Sequence, residues 1–137
     1  MVALTSARLA TSQRDGIEFS RQVAANAKIF EGALVCLSAT GFATPGATAT
    51  TLKADGVARE TVDNTGGANG AVRVTVRKGV FPFVNSAAGD AITIADIGTD
   101  CFIVDDQTVA KTNGTNTRSV AGRVVDVDSA GVWVRIG

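Results

Sequence analysis

From Ile17 onward the chain alternates short apolar stretches with clusters of Gly, Asn, Asp and Pro roughly every eight to twelve residues, the spacing of an all-β sandwich or barrel. The plainest strand covers residues 72–77, where three Val alternate with Arg73, Thr75 and Arg77. Pleating puts the valines on a core face and the polar residues on the other. Lys78 and Gly79 then read as a turn or bulge, and Pro82, which cannot donate to a ladder, marks residues 80–84 as an edge strand or a bend. Residues 122–128 and 131–136 flank Asp128-Ser129-Ala130-Gly131 and read as a hairpin, with Val132, Val134 and Ile136 on one face and Trp133 and Arg135 on the other. Weaker strands are expected over 17–23, 33–38, 52–58, 101–105 and 108–110.

Helical signals are sparse. Residues 22–29 hold good helix formers but are short and flanked by strand-like sequence, so they read as a connection. Thr93-Ile94-Ala95-Asp96-Ile97-Gly98 reads as a single turn capped by Thr93 and ended by Gly98. Residues 39–51, with Pro45-Gly46 and repeated Ala and Thr, read as a long polar loop, and Asn113-Gly114 as a turn. Residues 1–16 have no usable period and read as an extended arm, leaving residues 17–137 as one β-sandwich domain.

Composition narrows the function classes. The 137 residues balance 13 Lys and Arg against 13 Asp and Glu and include no His. No basic field is available to collect phosphates, which disfavours nucleic-acid binding. Without His, the commonest general base and metal ligand is missing, and enzymes become the minority reading. No apolar run approaches the ~18 residues of a membrane helix, and the first residues lack the basic and apolar regions of a secretory signal, so the chain is expected to fold where it is made. Cys36 and Cys101 sit inside apolar runs and read as buried, reduced thiols. The few charged residues, 19% of the chain against 45% hydrophobic, suggest surface hidden against other subunits.

Candidate chemistry is weak throughout. The glycines at 66 and 67 are followed by a strand and by no Gly-Lys-Ser/Thr, so they read as a loop and not a phosphate cradle. Asp105 with Asp106, and Asp126 with Asp128, are the carboxylate pairs; they lack the spacing of a calcium loop and read as solvated turn residues. No catalytic residue, cofactor or metal is expected. The candidate partner contacts are Leu4, Arg8, Leu9 and Arg14 on the arm and Phe81 and Trp133 on the body. A small-ligand or glycan-binding β-barrel, with Trp133, Phe81 and Phe83 lining a pocket, is the alternative.

Three stretches, Ala24-Ala25-Asn26-Ala27-Lys28-Ile29-Phe30-Glu31-Gly32-Ala33-Leu34-Val35, Val76-Arg77-Lys78-Gly79-Val80-Phe81 and Cys101-Phe102-Ile103-Val104-Asp105-Asp106-Gln107-Thr108-Val109, resemble the small head cement (decoration) proteins of tailed bacteriophages and Mu-like prophages, which are encoded beside the major capsid protein. The similarity covers most of residues 17–137 and consists of structural glycines and apolar strand positions. It implies a jelly-roll β-sandwich on the outside of an icosahedral head, made and assembled in the bacterial cytoplasm. The implied partners are the major capsid protein and further copies of the chain, as a dimer or trimer at a capsid symmetry axis, with no nucleic acid and no membrane.

Overall fold

The computed structural model describes residues 2–8 and 12–137. It is all-β: twelve strands and two single 3-10 turns make up the regular structure of the described residues. The strands are β1 (Glu18–Gln22), β2 (Lys28–Ile29), β3 (Leu34–Leu37), β4 (Ala43–Pro45), β5 (Lys53–Ala58), β6 (Val62–Asp63), β7 (Arg73–Arg77), β8 (Gly79–Asn85), β9 (Asp100–Ile103), β10 (Thr108–Ala110), β11 (Val120–Asp128) and β12 (Gly131–Ile136). They form a five-stranded sheet in the order β1-β7-β5-β3-β4, a closed barrel β10-β8-β12-β11-β9 and a small β2-β6 pair.

The strands that the sequence spacing places in a sandwich thus divide between an open sheet and a barrel. The barrel closes through a short parallel pairing of β10 with β8, at Thr108 with Val84 and Val109 with Asn85. Such a two-residue, sequence-distant contact leaves no local pattern to read. It also corrects the edge assignment for residues 80–84: β8 lies between β12 and β10. Pro82 remains tolerable because β10 joins only at Val84 and Asn85, so at Pro82 the strand is paired with β12 alone.

The 39–51 segment is likewise more ordered than a loop. Ala43–Pro45 pairs with β3, Ala43 is fully buried, and the remainder is fastened by Gly46 N–H donating to Leu34 O at 2.8 Å and by Ser119 Oγ donating to Ala49 O at 2.7 Å. The connection at 22–29 contains no helix and ends in β2. The 93–98 turn forms as the sequence indicates: Thr93 Oγ1 accepts from Ala95 N–H, the Asp96 carboxylate accepts from Thr93 N–H at 2.8 Å, and Gly98 follows with φ of +91°.

The apolar run Leu34-Val35-Cys36 is continuous because β3 is covered on both faces. Leu34 and Cys36 belong to one buried cluster with Val57 of β5 and the barrel residues Phe83, Ile103, Val109, Val124, Val132 and Val134. Val35 joins a second cluster with Val23, Ile29, Ala43, Ala58, Val74 and Val76. Successive residues of β3, and Val57 and Ala58 of β5, therefore point into different cores, as a period of two requires.

β5 also carries the junction between sheet and barrel. Its pairing with β3 steps from Val35 opposite Gly56 to Cys36 opposite Ala54, leaving Asp55 as the extra residue of a bulge. Asp55 is 3% exposed. Its carboxylate accepts from Arg21 Nε and Nη2 at 2.7 and 2.9 Å and from Lys78 Nζ at 2.9 Å, and Lys78 also donates to the Asp55 carbonyl at 3.0 Å. Both cations lie over the Phe19 ring, Arg21 at 4.8 Å and Lys78 at 5.5 Å from its centroid. Lys78 is the single residue between β7 of the sheet and β8 of the barrel, so this carboxylate holds the crossover. Gly56, at φ +157°, is required beside it: a Cβ there would stand 2.8 Å from Val76 Cγ1 and closer still to the Arg77 carbonyl oxygen.

Burial acts to raise the Asp55 carboxyl, but the hydrogen bonds and charges of Arg21 and Lys78 outweigh it and hold the group below its ordinary value of 3.8. Because the folded value lies below the unfolded one, the stabilisation is complete above the unfolded value and is lost as pH falls through the folded one. Asp55→Asn is expected to destabilise the protein by about 3 kcal/mol at neutral pH in urea unfolding, since two partly buried cations lose their counter-charge. The difference from wild type should shrink as the pH is lowered below about 4; a constant difference would show that the charge of Asp55 does not stabilise the fold.

Candidate functional site

The candidate contact residues lie in two places. Leu4, Arg8 and Arg14 are exposed, and the described residues of their segment form no strand or helix; Val2 is 89% and Leu4 70% exposed. Leu9 lies outside the described residues. The segment ends where the Asp15 carboxylate accepts from Ile17 N–H at 2.7 Å and from Glu18 N–H at 3.3 Å, which fixes the start of β1. Phe81 and Trp133 are both partly buried on the barrel.

β8 and β12 pair with Phe83 opposite Val132, Pro82 opposite Trp133 and Phe81 opposite Val134. Cross-strand partners share a face, so Phe81 and Phe83 lie with the valines of the core while Trp133 lies with Pro82 on the other side. Phe81 packs against the core cluster and Phe83 is part of it. The three aromatics therefore do not line a common pocket.

The carboxylate pairs are resolved in the same way. A turn folds Asp105 and Asp106 together, yet Asp105 spends its carboxylate on Gln107 N–H at 2.9 Å. Asp126 accepts from Val127 N–H and Asp128 from Ala130 N–H, each within its own turn or strand. Among the described residues no group of three or more His, Cys, Asp or Glu is placed to hold a metal ion, and no helix is long and apolar enough to cross a membrane. The 64–70 loop is tied down within itself and to the 24–26 connection: buried Asn64 donates from Nδ2 to Ala24 O and Ala68 O at 2.8 and 3.0 Å, and Gly66 N–H donates to Asn26 Oδ1 at 3.0 Å.

An open groove of about 380 Å³, lined by Phe30, Glu31, Gly32, Ala33, Asp106 and Gln107, went unnoticed in the sequence. Two turns build it. Ala33 N–H donates to Phe30 O at 3.0 Å, with Gly32 at φ +86°, and Leu34 N–H donates to Asp106 O at 2.8 Å, joining the 105–107 turn to the head of β3. Phe30 is 55% exposed, and Glu31 and Asp106 are the acidic residues of the lining. Lys28 Nζ sits 5.0 Å from the Phe30 centroid. Lys28 also faces Asp63 across the β2-β6 pair, where hydrogen bonds from Thr65 and, more weakly, the charge of Lys28 hold Asp63 below its usual carboxylate value. The walls are 73 positions apart between Ala33 and Asp106 in the chain, and no spacing rule connects them.

Comparison of the chain with protein-family models, curated proteins and solved structures found no match.

Cys36 and Cys101 are free and buried, and burial pushes both thiols up to about 12. Since the thiolate is the reactive form, both are expected to resist iodoacetamide in the native protein at about pH 8 and to react fully in urea, as read by intact mass. Labelling of either cysteine under native conditions would show that its core opens readily.

Proposed function

We propose that the chain is a structural head protein that binds the outer surface of an icosahedral phage capsid and cements neighbouring capsomers against the pressure of packaged DNA. It is a non-catalytic role, with the major capsid protein and further copies of the chain as partners, on a virion assembled in the bacterial cytoplasm. The jelly-roll form implied by the resemblance is part of this proposal, and the binding role does not depend on it.

The observation that carries the reading is the convergence of the resembling stretches. Two of them, 24–35 and 101–109, are far apart in sequence and supply both walls of the one groove described above. The third, 76–81, contains Lys78 of the Asp55 clamp. The exposed apolar residues Val2 and Leu4 of the N-terminal segment add surface suited to a partner. The ligand-binding alternative is the weaker reading, because Phe81 and Phe83 are committed to the core and Trp133 faces away from them.

Cementing works through avidity: many copies repeat a modest contact, and a segment that orders on its neighbour ties units together. Purified protein is expected to co-pellet with undecorated heads, built from the capsid protein encoded beside it, at a fixed ratio to the capsid subunit. Removal of residues 1–15 should leave the domain folded and lower its affinity for those heads. No co-pelleting by the intact chain would overturn the cement reading, and saturation by the truncated chain at wild-type concentration would remove the role of the segment.

A further inference from the structure

We propose that the groove between Phe30 and Asp106 receives the N-terminal segment of a second copy of this chain, with the Arg14 guanidinium between the two groove carboxylates. This deepens the cement reading by naming the contact through which copies hold each other.

The two surfaces are complementary in charge and character. Residues 1–14 contain Arg8 and Arg14 and no acidic residue, and the described part is exposed. Arg14 has no ion pair among the described residues. The groove is the reverse: Glu31 and Asp106 likewise have no ion pair among the described residues, and they line the groove together with the exposed Phe30. A guanidinium is suited to such a place, since it stacks on an aromatic face while donating to carboxylates. The Lys28 ammonium also lies on the Phe30 ring, 5.0 Å from its centroid, and against the carboxylates of Glu31 and Asp106 it still leaves the groove one negative charge.

The sheet geometry permits a reciprocal exchange. Glu18 of β1 faces Arg77, which faces Val57, which faces Leu34. Leu34 holds the Asp106 carbonyl. The root of the segment and the groove are therefore separated by three strand spacings at the same end of one sheet, about 14 Å. The six residues lining the groove include none from the same chain's segment. Two copies related by a twofold axis can each place a segment in the other's groove, which closes the assembly.

The test uses full-length chains in sedimentation velocity without any heads present, so that failure here is separate from failure of capsid binding. Wild type is expected to dimerise. Arg14→Glu, and separately Glu31→Arg with Asp106→Arg, should each weaken self-association by about tenfold or more, because like charges then meet in the homodimer. Mixed one to one, the two variants should dimerise with wild-type affinity, since both contacts in the mixed pair are again opposite in charge. Persistent monomer in the wild type, wild-type dimerisation of the Arg14→Glu variant, or no recovery on mixing two folded variants would overturn the proposal. Should the groove variant fail to fold by circular dichroism, the Arg14→Glu chain alone decides, because its substitution lies outside both cores.

Discussion

A single buried carboxylate organises the junction on which the rest of the molecule depends. Asp55 is the one buried charged residue among those described, and a bulge in β5 is what brings it there. Removing a carboxylate from water is unfavourable by several kcal/mol unless its lone pairs are satisfied. Arg21 meets it with two hydrogen bonds and Lys78 with a third. Those two cations come from β1, the outermost strand of the sheet on that side, and from the crossover into the barrel. The bulge, the close approach at Gly56 and the choice of cations on distant strands are thus parts of one solution, and the Phe19 ring beneath the cations completes it.

Around that junction the packing follows from β3 and β5 having two buried faces. Leu34, Cys36 and Val57 extend the barrel's apolar cluster, while Val35 and Ala58 serve the second cluster. Sharing two strands between two small cores raises the apolar area buried per residue. The second core is closed at one end by the bridge of Val23 to Ala43 and by Ala24 N–H donating to Ala43 O at 2.8 Å, so the edges of the open sheet meet there. At the opposite end of the sheet stand the root of the N-terminal segment and the groove, which places the surfaces proposed to meet partners away from the closed end.

Much of this was legible in the sequence where local chemistry decides it. Val74 and Val76 alternate with Arg73, Thr75 and Arg77 as the pattern requires, the 128–131 turn closes the β11-β12 hairpin, and Thr93 caps its turn. The cysteines are buried and unpaired, as their apolar flanks indicate. What stayed hidden is non-local. Asp55 looks like any strand-edge carboxylate until Arg21 and Lys78 are brought to it. Ala43–Pro45 is too short and too poor in large side chains to declare itself a strand. Barrel closure rests on two residue pairs between β8 and β10. The groove joins two turns far apart in the chain, each of which reads alone as an ordinary polar connection.

For a protein proposed to hold capsomers together, the physical requirement is that its two cores respond as one body and not as two hinged halves. The clamp at Asp55 and the shared strands β3 and β5 predict that property. Native-state amide hydrogen exchange tests it directly. The account predicts that the slowest amides of β7 in the sheet and of β12 in the barrel open with the same free energy and the same denaturant dependence, as a single cooperative unit. Exchange of the β7 amides through a lower-energy opening that leaves β12 protected would contradict it and reduce the junction to a local contact.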